Sequence, residues 1–293
     1  MNAKAARAIA EIREVPDAID ELLVILNDQL PLPSWPADMP VANLGRARAA
    51  IAATVFRHLE GRFQTQFLDA VDEQNGRGIR AKWFEPVDIS FRVYGYRLES
   101  ALADLRHCDR KSELSAIEQL DDYVPLEVPV LIPLVANRSG VLEPTPEVSL
   151  AEHINVKLLN QMKLGALIVY RDLQRWYQDC GMTLLSGRFE FGVDGKELIL
   201  TGAPGGLDDS MISVDHDGEH QYLGSNTFEE WIATEHDSKQ EPKSSRFEVI
   251  GERILDAHRN LYEQLSGQSF DTWLGESSMY QGPRSRSRIF RRR

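Results

Sequence analysis

Twenty residues constrain the fold of this chain more than any others: Gly181-Met-Thr-Leu-Leu-Ser-Gly-Arg-Phe-Glu-Phe-Gly-Val-Asp-Gly-Lys-Glu-Leu-Ile-Leu200. A glycine stands where a long helical pattern stops. Two short apolar runs, Met182–Leu185 and Leu198–Leu200, flank an alternation of charged and aromatic residues, Arg188-Phe189-Glu190-Phe191. Period-two alternation specifies a strand with one buried face. Asp194-Gly195 is a turn dipeptide, so the unit reads as helix followed by β-hairpin. Arg188 and Glu190 are two residues apart and share a face, and the phenylalanines take the other. The charged pair could line a site for a charged ligand, or could be a solvated pair on a sheet surface, the commoner arrangement.

The rest of the chain mixes helical and strand patterns, and the 293 residues suit one large α+β domain or two lobes. Residues 3–14 are rich in Ala and Arg and predict a helix. Glu21–Leu26 reads as a buried strand, followed by a proline-rich loop over 30–40. A helix is expected over Gly45–Glu60, a short strand over Phe63–Leu68 and strand structure over Lys82–Tyr96. Pro125, Pro129 and Pro133 interrupt the apolar run Val124–Val135, which suits an edge strand or an extended crossing segment. The longest helical signal covers 150–178, with Ile154, Leu158, Met162, Val169 and Trp176 on one stripe, and Gly181 closes it. Thr201–Asp209 reads as a loop. Residues 213–245 are polar with few apolar anchors beyond Phe228 and Trp231, and a second clear helix follows over Phe247–Leu265. His258 on that helix reads as a satisfied core residue, because no second His or Cys sits at ligand spacing.

Charge and length narrow the function classes. The 293 residues carry a net charge of −12, which argues against a general nucleic-acid binder. No apolar run is long enough to span a bilayer, and the two cysteines, Cys108 and Cys180, lack metal-ligand spacing. These features predict a cytoplasmic protein without a membrane partner. The last ten residues hold six arginines and no acid, so a disordered tail over 274–293 is expected, able to bind an acidic partner. There is no P-loop and no G-x-G-x-x-G fingerprint.

Leu184-Leu-Ser-Gly-Arg-Phe-Glu-Phe-Gly192 resembles a Leu-Val-Asp-x-Lys-x-Glu-Phe-Gly segment of the SAICAR synthetases, ATP-dependent ligases of purine synthesis. The similarity runs in register over about residues 5–267. Asn43-Leu-Gly45 through Glu60 is similar to the family's Gly-Lys-Gly segment and its helix. Phe63–Phe67 is similar to its Thr-His-Phe strand, Pro86–Arg92 to Pro-Leu-Glu-Val-Val-Val-Arg, and Glu248–Gly267 to its closing helix. The resemblance implies a two-lobe α+β architecture: a small β-rich nucleotide lobe over 1–97 and a larger mixed lobe over 98–273, with substrates in the cleft.

The departures fall on chemistry. The family's Gly-Lys-x-Lys loop, which meets ATP phosphates, falls on Arg7-Ala-Ile-Ala10, without a lysine. The Lys of Gly-Lys-Gly becomes Leu44 and the His of Thr-His-Phe becomes Gln66. The Asp-Glu pair that helps hold Mg²⁺ falls on Gly202 and Ala203. What remains by resemblance is Glu190 and Asp208 as candidate catalytic residues, with Arg92, Arg188 and Thr65 as candidate substrate contacts for an anion such as a phosphoribosyl group. No cofactor-binding residue and no metal ligand is assigned. Three functions follow. The first is a pseudoenzyme with no ATP or Mg²⁺ requirement, which binds a phosphoribosyl or nucleotide-like ligand or assembles with itself or an active paralogue. The second is a divergent ATP- and Mg²⁺-dependent amide ligase, in which Asp208, Asp209, Glu190 and Glu143 rebuild a metal site. The third is a structural or nucleic-acid-associated protein acting through the arginine tail.

Overall fold

The computed structural model describes residues 9–15, 18–30, 39–72, 75–138, 140–150, 154–216, 219–236 and 244–273. The expected arginine tail and the loop at 31–38 lie outside them. Two antiparallel sheets carry the fold. The smaller is built from β1 (Ile9–Val15), β2 (Ala18–Leu26), β5 (Phe67–Val71) and β6 (Gly78–Lys82), in the order β1-β2-β6-β5. A two-residue pair, β3 (Gln29–Leu30) with β4 (Met39–Pro40), leads from β2 into α1 (Leu44–Leu59).

The larger sheet holds β7 (Glu85–Tyr96), β8 (Pro125–Ala136), β9 (Leu142–Pro144), β10 (Met182–Asp194), β11 (Glu197–Thr201), β12 (Ser210–His216) and β13 (Glu219–Leu223). Its order is β13-β12-β10-β7-β8-β9, and β11 pairs with the far half of β10. The helices are α2 (Glu99–His107), α3 (Lys111–Ile117), α4 (Glu147–Leu150), α5 (Val156–Asp179), α6 (Ser225–His236) and α7 (Ser244–Ser266). The α+β class therefore holds.

Local sequence accounts for most of these elements. α5 starts where the Asn155 side chain accepts a hydrogen bond from the Lys157 amide at 2.8 Å and ends at Gly181, whose φ of 77° lies in the left-handed region. Helix α1 is rich in small and aliphatic residues and is buried around most of its circumference. The Asp28 carboxylate accepts from the Gly45 amide at its N-terminus at 2.7 Å, satisfying one of the donors a helix leaves free there. In β10, Phe189 and Phe191 are buried in the main core, as their alternation requires.

Four sequence expectations need correction. Residues 9–15 are a strand, not part of a helix: pairing of β1 with β2 from Ile9↔Leu26 to Val15↔Ala18 overrides the helix propensity of the segment. Regular strand structure begins at Phe67 and not at Phe63, although Gln64–Gln66 hydrogen-bonds to Leu200. The proline-bearing β8 pairs with β7 throughout but with β9 only over Leu134–Ala136, so it lies second in the sheet while most of its outer edge is uncovered. Residues 213–245 are not merely polar loop. They hold the end of β12, β13 and α6, anchored by the buried Phe228 and Ile232.

Candidate functional site

The antiparallel register of β7 and β10 sets the charged face of the large sheet. Arg188 stands opposite Arg92, and Glu190 opposite Ser90. With period-two alternation, Ser90, Arg92, Tyr94, Arg188 and Glu190 share one face, and Phe91 and Phe189 pair on the other. The Arg188–Glu190 pair is not a solvated surface contact. Arg188 is 6% exposed, and its Nη1 donates to Glu190 Oε1 at 2.5 Å. Its Nε donates to Asp209 Oδ1 at 2.9 Å, its Nη2 bonds the same oxygen, and its amide donates to the Asp209 carbonyl at 2.8 Å. Arg188 is thus committed to two carboxylates at once. Burial alone would lower its basicity, but those two carboxylates push its pKa further up, so it stays charged.

Glu190 is more open: its side chain is 20% exposed, and among the described residues nothing donates to its Oε2. Burial pushes its carboxyl up from 4.5; the Arg188 charge opposes the shift and the Asp209 charge adds to it. Gly202, on the loop after β11, lies directly against Oε2. A Cβ at that position would stand 3.0 Å from this oxygen, on a backbone with φ of 78°.

The second expected carboxylate, Asp208, belongs to a different cluster. Arg48 of α1, only 2% exposed, forks onto it, with Nε to Oδ2 at 2.7 Å and Nη2 to Oδ1 at 2.5 Å. Arg48 Nη1 also donates to the Asn27 carbonyl and side chain and to the Gln29 carbonyl. Burial alone would raise the Asp208 carboxyl, but the Arg48 guanidinium and the nearby His258 ring hold it well below the usual carboxylate range. His258 is fully buried, with Nδ1 2.9 Å from the Ile254 carbonyl and Nε2 3.7 Å from Asp208 Oδ2, too far for a hydrogen bond. The cluster ties α1, α7, the end of β2 and the 202–209 loop together.

Arg92 sits at the margin of the charged face, its side chain 36% exposed. Its Nη1 makes long contacts to Tyr94 Oη (3.4 Å) and Asp104 Oδ2 (3.3 Å). Tyr94 donates to Asp104 at 2.7 Å, and burial together with that carboxylate pushes the phenol up to about 12. Thr65 is half-buried and bridges Leu200 in parallel fashion. Its neighbour Gln66 is buried and donates from Nε2 to the Gly202 carbonyl at 2.9 Å, fixing the loop beside Glu190.

A cleft of about 840 Å³ opens between the two sheets. Ile12, Leu22 and Val24 form one wall, Phe84–Ser90 the next, and the β8–β9 turn with the start of α5 closes it. Glu190, Gln66 and Gly202 reach it from the inner end. Arg92, Arg188, Thr65 and Asp208 do not line it. Of the five expected residues, the structure therefore brings Arg92, Arg188 and Glu190 onto one face and places Glu190 alone in the cleft. Sequence reasoning missed Arg48, and it named Asp209 as a possible metal ligand but not as the partner of Arg188. Arg48 carried a signal, since it falls four residues after Leu44 and three before Ile51, on the buried face of α1, where an arginine needs an acid.

The model of SAICAR synthetase matches residues 9–203, about two thirds of the chain. The chain belongs to the SAICAR synthetase family. The phosphoribosylaminoimidazole-succinocarboxamide synthase of Rhodococcus erythropolis is 23% identical over 92% of this chain and 95% of its own length. That of Streptomyces coelicolor is 22% identical over 85% and 89%. Among solved structures, the Saccharomyces cerevisiae SAICAR synthase complexed with SAICAR matches with a TM-score of 0.70 at 17% identity, over 89% of this chain and 93% of its own. The Pyrococcus horikoshii SAICAR synthetase matches with a TM-score of 0.65 at 16% identity, over 88% and 98%. Family membership brings ligase chemistry with ATP and Mg²⁺ as the family's background. Among the described residues, no helix is long and apolar enough to cross a membrane, and no three His, Cys, Asp or Glu side chains gather to hold a metal ion.

Proposed function

We propose that this SAICAR synthetase-family chain has lost ATP–Mg²⁺-dependent ligation and serves as a binding or assembly protein for a nucleotide-like small molecule. One observation carries the reading. Where the resemblance puts a metal-binding acid, Gly202 lies against the outer oxygen of Glu190, and Arg188 occupies the inner one. Mg²⁺ with a triphosphate wants several hard oxygen ligands from the protein and its substrate, and positive charge along the phosphates. At the inner end of the cleft the described residues supply one open carboxylate oxygen, Glu190 Oε2, and Glu85 and Asp88 line the cleft away from it. Both oxygens of Asp208 are taken by Arg48, Asp209 is held through Oδ1 by Arg188 and does not line the cleft, and Leu44 is fully buried in the core where the family has a lysine. These donors do not fit a magnesium triphosphate. Of the two arginines expected to grip a phosphoribosyl group, only Arg92 keeps donors uncommitted, at Nε and Nη2.

The test is an assay of the full chain for ATP-dependent amide formation between aspartate and carboxyaminoimidazole ribotide, beside the Streptomyces coelicolor relative. No turnover is expected, together with no Mg²⁺-dependent ATP binding by calorimetry; measurable turnover would overturn the reading. The open Oε2 of Glu190 favours one second reading, a divergent amide ligase. Magnesium-dependent ATP binding that Glu190→Gln abolishes would support it. Assembly with a second copy or an active paralogue, and capture of an acidic partner by Arg284–Arg293, are separate parts of the proposal. Sedimentation of the full chain and of a chain truncated before Arg284 tests both.

A further inference from the structure

The cleft between the sheets carries a selectivity opposite to that of a polyphosphate site. Its charged lining among the described residues is Glu85, Asp88 and Glu190 against a single cation, Arg138. Directly behind Glu190, Arg188 is shared with Asp209, so that trio of side chains carries one surplus negative charge. An anion entering the cleft would meet like charge in a partly desolvated space, where the Coulomb term is only weakly screened.

Two polar atoms at the inner end lack partners. Glu190 Oε2 accepts nothing from the described residues, and the glycine at 202 leaves the space before it open, because a Cβ there would crowd that oxygen at 3.0 Å. Ser90, opposite Glu190 in the register and 4% exposed, also lines the cleft, and its buried Oγ has no hydrogen-bond partner among the described residues. A buried hydroxyl left unpaired is costly unless something else satisfies it. Much of the remaining lining is apolar, with Val24, Phe84 and Leu158 among it, beside the polar Gln66, Asn137, Asn155 and Thr201.

We propose that this cleft takes a flat, phosphate-free molecule that directs an amine or N–H donor at Glu190 Oε2, offers an acceptor to Ser90 Oγ, and lays its apolar faces against Val24 and Phe84. The ligand class is an amino-substituted heteroaromatic or nucleoside, uncharged or cationic, and not its phosphorylated counterpart. This narrows the binding-protein reading above and rests on it. Glu190 Oε2 accepts the hydrogen bond, and a cationic donor also offsets the surplus charge. Asp88 and Arg138, on β7 and on the turn after β8, form the outer rim, and each lacks an ion-pair partner among the described residues.

The experiment uses the full chain and matched probes: adenosine against AMP and ATP–Mg²⁺, and tryptamine against indole-3-acetate, by calorimetry and thermal shift. Adenosine, which lacks the phosphate, and tryptamine, which carries the amine, are each expected to bind at least about tenfold more tightly than the anionic partner. Ser90→Ala is expected to weaken adenosine by about threefold to tenfold while keeping the fold. Glu190→Gln is expected to erase the tryptamine preference. Because Glu190→Gln perturbs Arg188, Asp88→Asn, at the rim and outside that network, provides the second charge variant and should narrow the same preference. Tighter binding of AMP or indole-3-acetate, no binding of either donor probe at millimolar concentration, or preferences unmoved in all three variants would overturn the proposal. Amide-ligation turnover with the donor preference intact would instead remove only the pseudoenzyme reading.

Discussion

Asp208 and Asp209 are neighbours in sequence, yet they belong to two ionic clusters of different kinds. Asp208 faces Arg48 in a closed arrangement. Both carboxylate oxygens are taken, and the arginine donates onward to Asn27 and Gln29. Asp209 faces Arg188 in an arrangement closed on one side only: both Arg188 nitrogens fall on Oδ1, Oδ2 has no donor among the described residues, and the second carboxylate, Glu190, keeps Oε2 open to the cleft. A closed cluster has nothing left to offer a ligand and acts as a clamp between elements. An open one retains a functional group. Chemical type therefore does not distinguish a structural acid from a site acid here; the count of unsatisfied oxygens does.

The largest effect should come from breaking the closed cluster. Arg48→Ala would leave Asp208 buried and unpaired beside His258, and removing one partner of a buried pair costs about 3–5 kcal/mol. Urea unfolding of the variant should show a midpoint far below that of the parent, and adding Asp208→Asn should restore part of the loss, because no orphan charge remains. A loss under about 1 kcal/mol, the range of an exposed pair, would remove the distinction between the clusters.

Arg188→Met should cost less, about 2–3 kcal/mol, the scale of hydrogen bonds to charged groups. Glu190 has solvent on one side and a carboxyl already raised by burial, so it can take up a proton when its partner is gone. The defect should accordingly be milder at pH 5 than at pH 8, as followed by thermal unfolding at the two values. An equal defect at both would mean that Glu190 does not respond in this way.

The two clusters should also give pH slopes of opposite sign. Asp208 is held below its ordinary 3.8, so its contribution is fully present above that value and is lost as pH falls through the folded pKa. Glu190 is raised above 4.5, so its contribution is fully present below that value and is lost as pH rises through the folded pKa. Asp208→Asn should therefore flatten the acid limb of the stability profile, and Glu190→Gln the limb just above pH 4.5. Each slope is bounded by about 1.4 kcal/mol per pH unit for a single proton.

Much of the scaffold was legible because it rests on short-range rules. The stripe in α5, the glycine at 181 and the Arg-Phe-Glu-Phe alternation of β10 each name their own element and its buried face. β1 was not legible, since a segment rich in helix formers becomes a strand only when β2 is there to pair with it. β13 and α6 were hidden because Phe228 and Ile232 are too sparse to set a period. For the site, shared facing of Arg188 and Glu190 followed from their spacing. Which acid each arginine would choose did not, because Arg48 and Asp208 are 160 residues apart and are joined by helix packing alone. The opening of Glu190 Oε2 depends on a glycine twelve positions later, on a separate loop, and no local pattern reports such an absence of side chain.

The smallest stability effect is expected at Ser90, and it separates the open cluster from the closed one most cleanly. Its Oγ is buried beside Glu190 without a partner among the described residues, so in the unliganded protein the hydroxyl is a liability. Ser90→Ala removes the unpaired group and leaves a methyl of similar size, which should be neutral or stabilising by up to about 1 kcal/mol. A structural serine behaves otherwise, and its loss would lower the melting temperature. If melting rises or holds while adenosine affinity falls, the hydroxyl is kept for a ligand. If melting falls, Ser90 has a partner in the resting protein, and the inner end of the cleft is as closed as the Arg48 cluster.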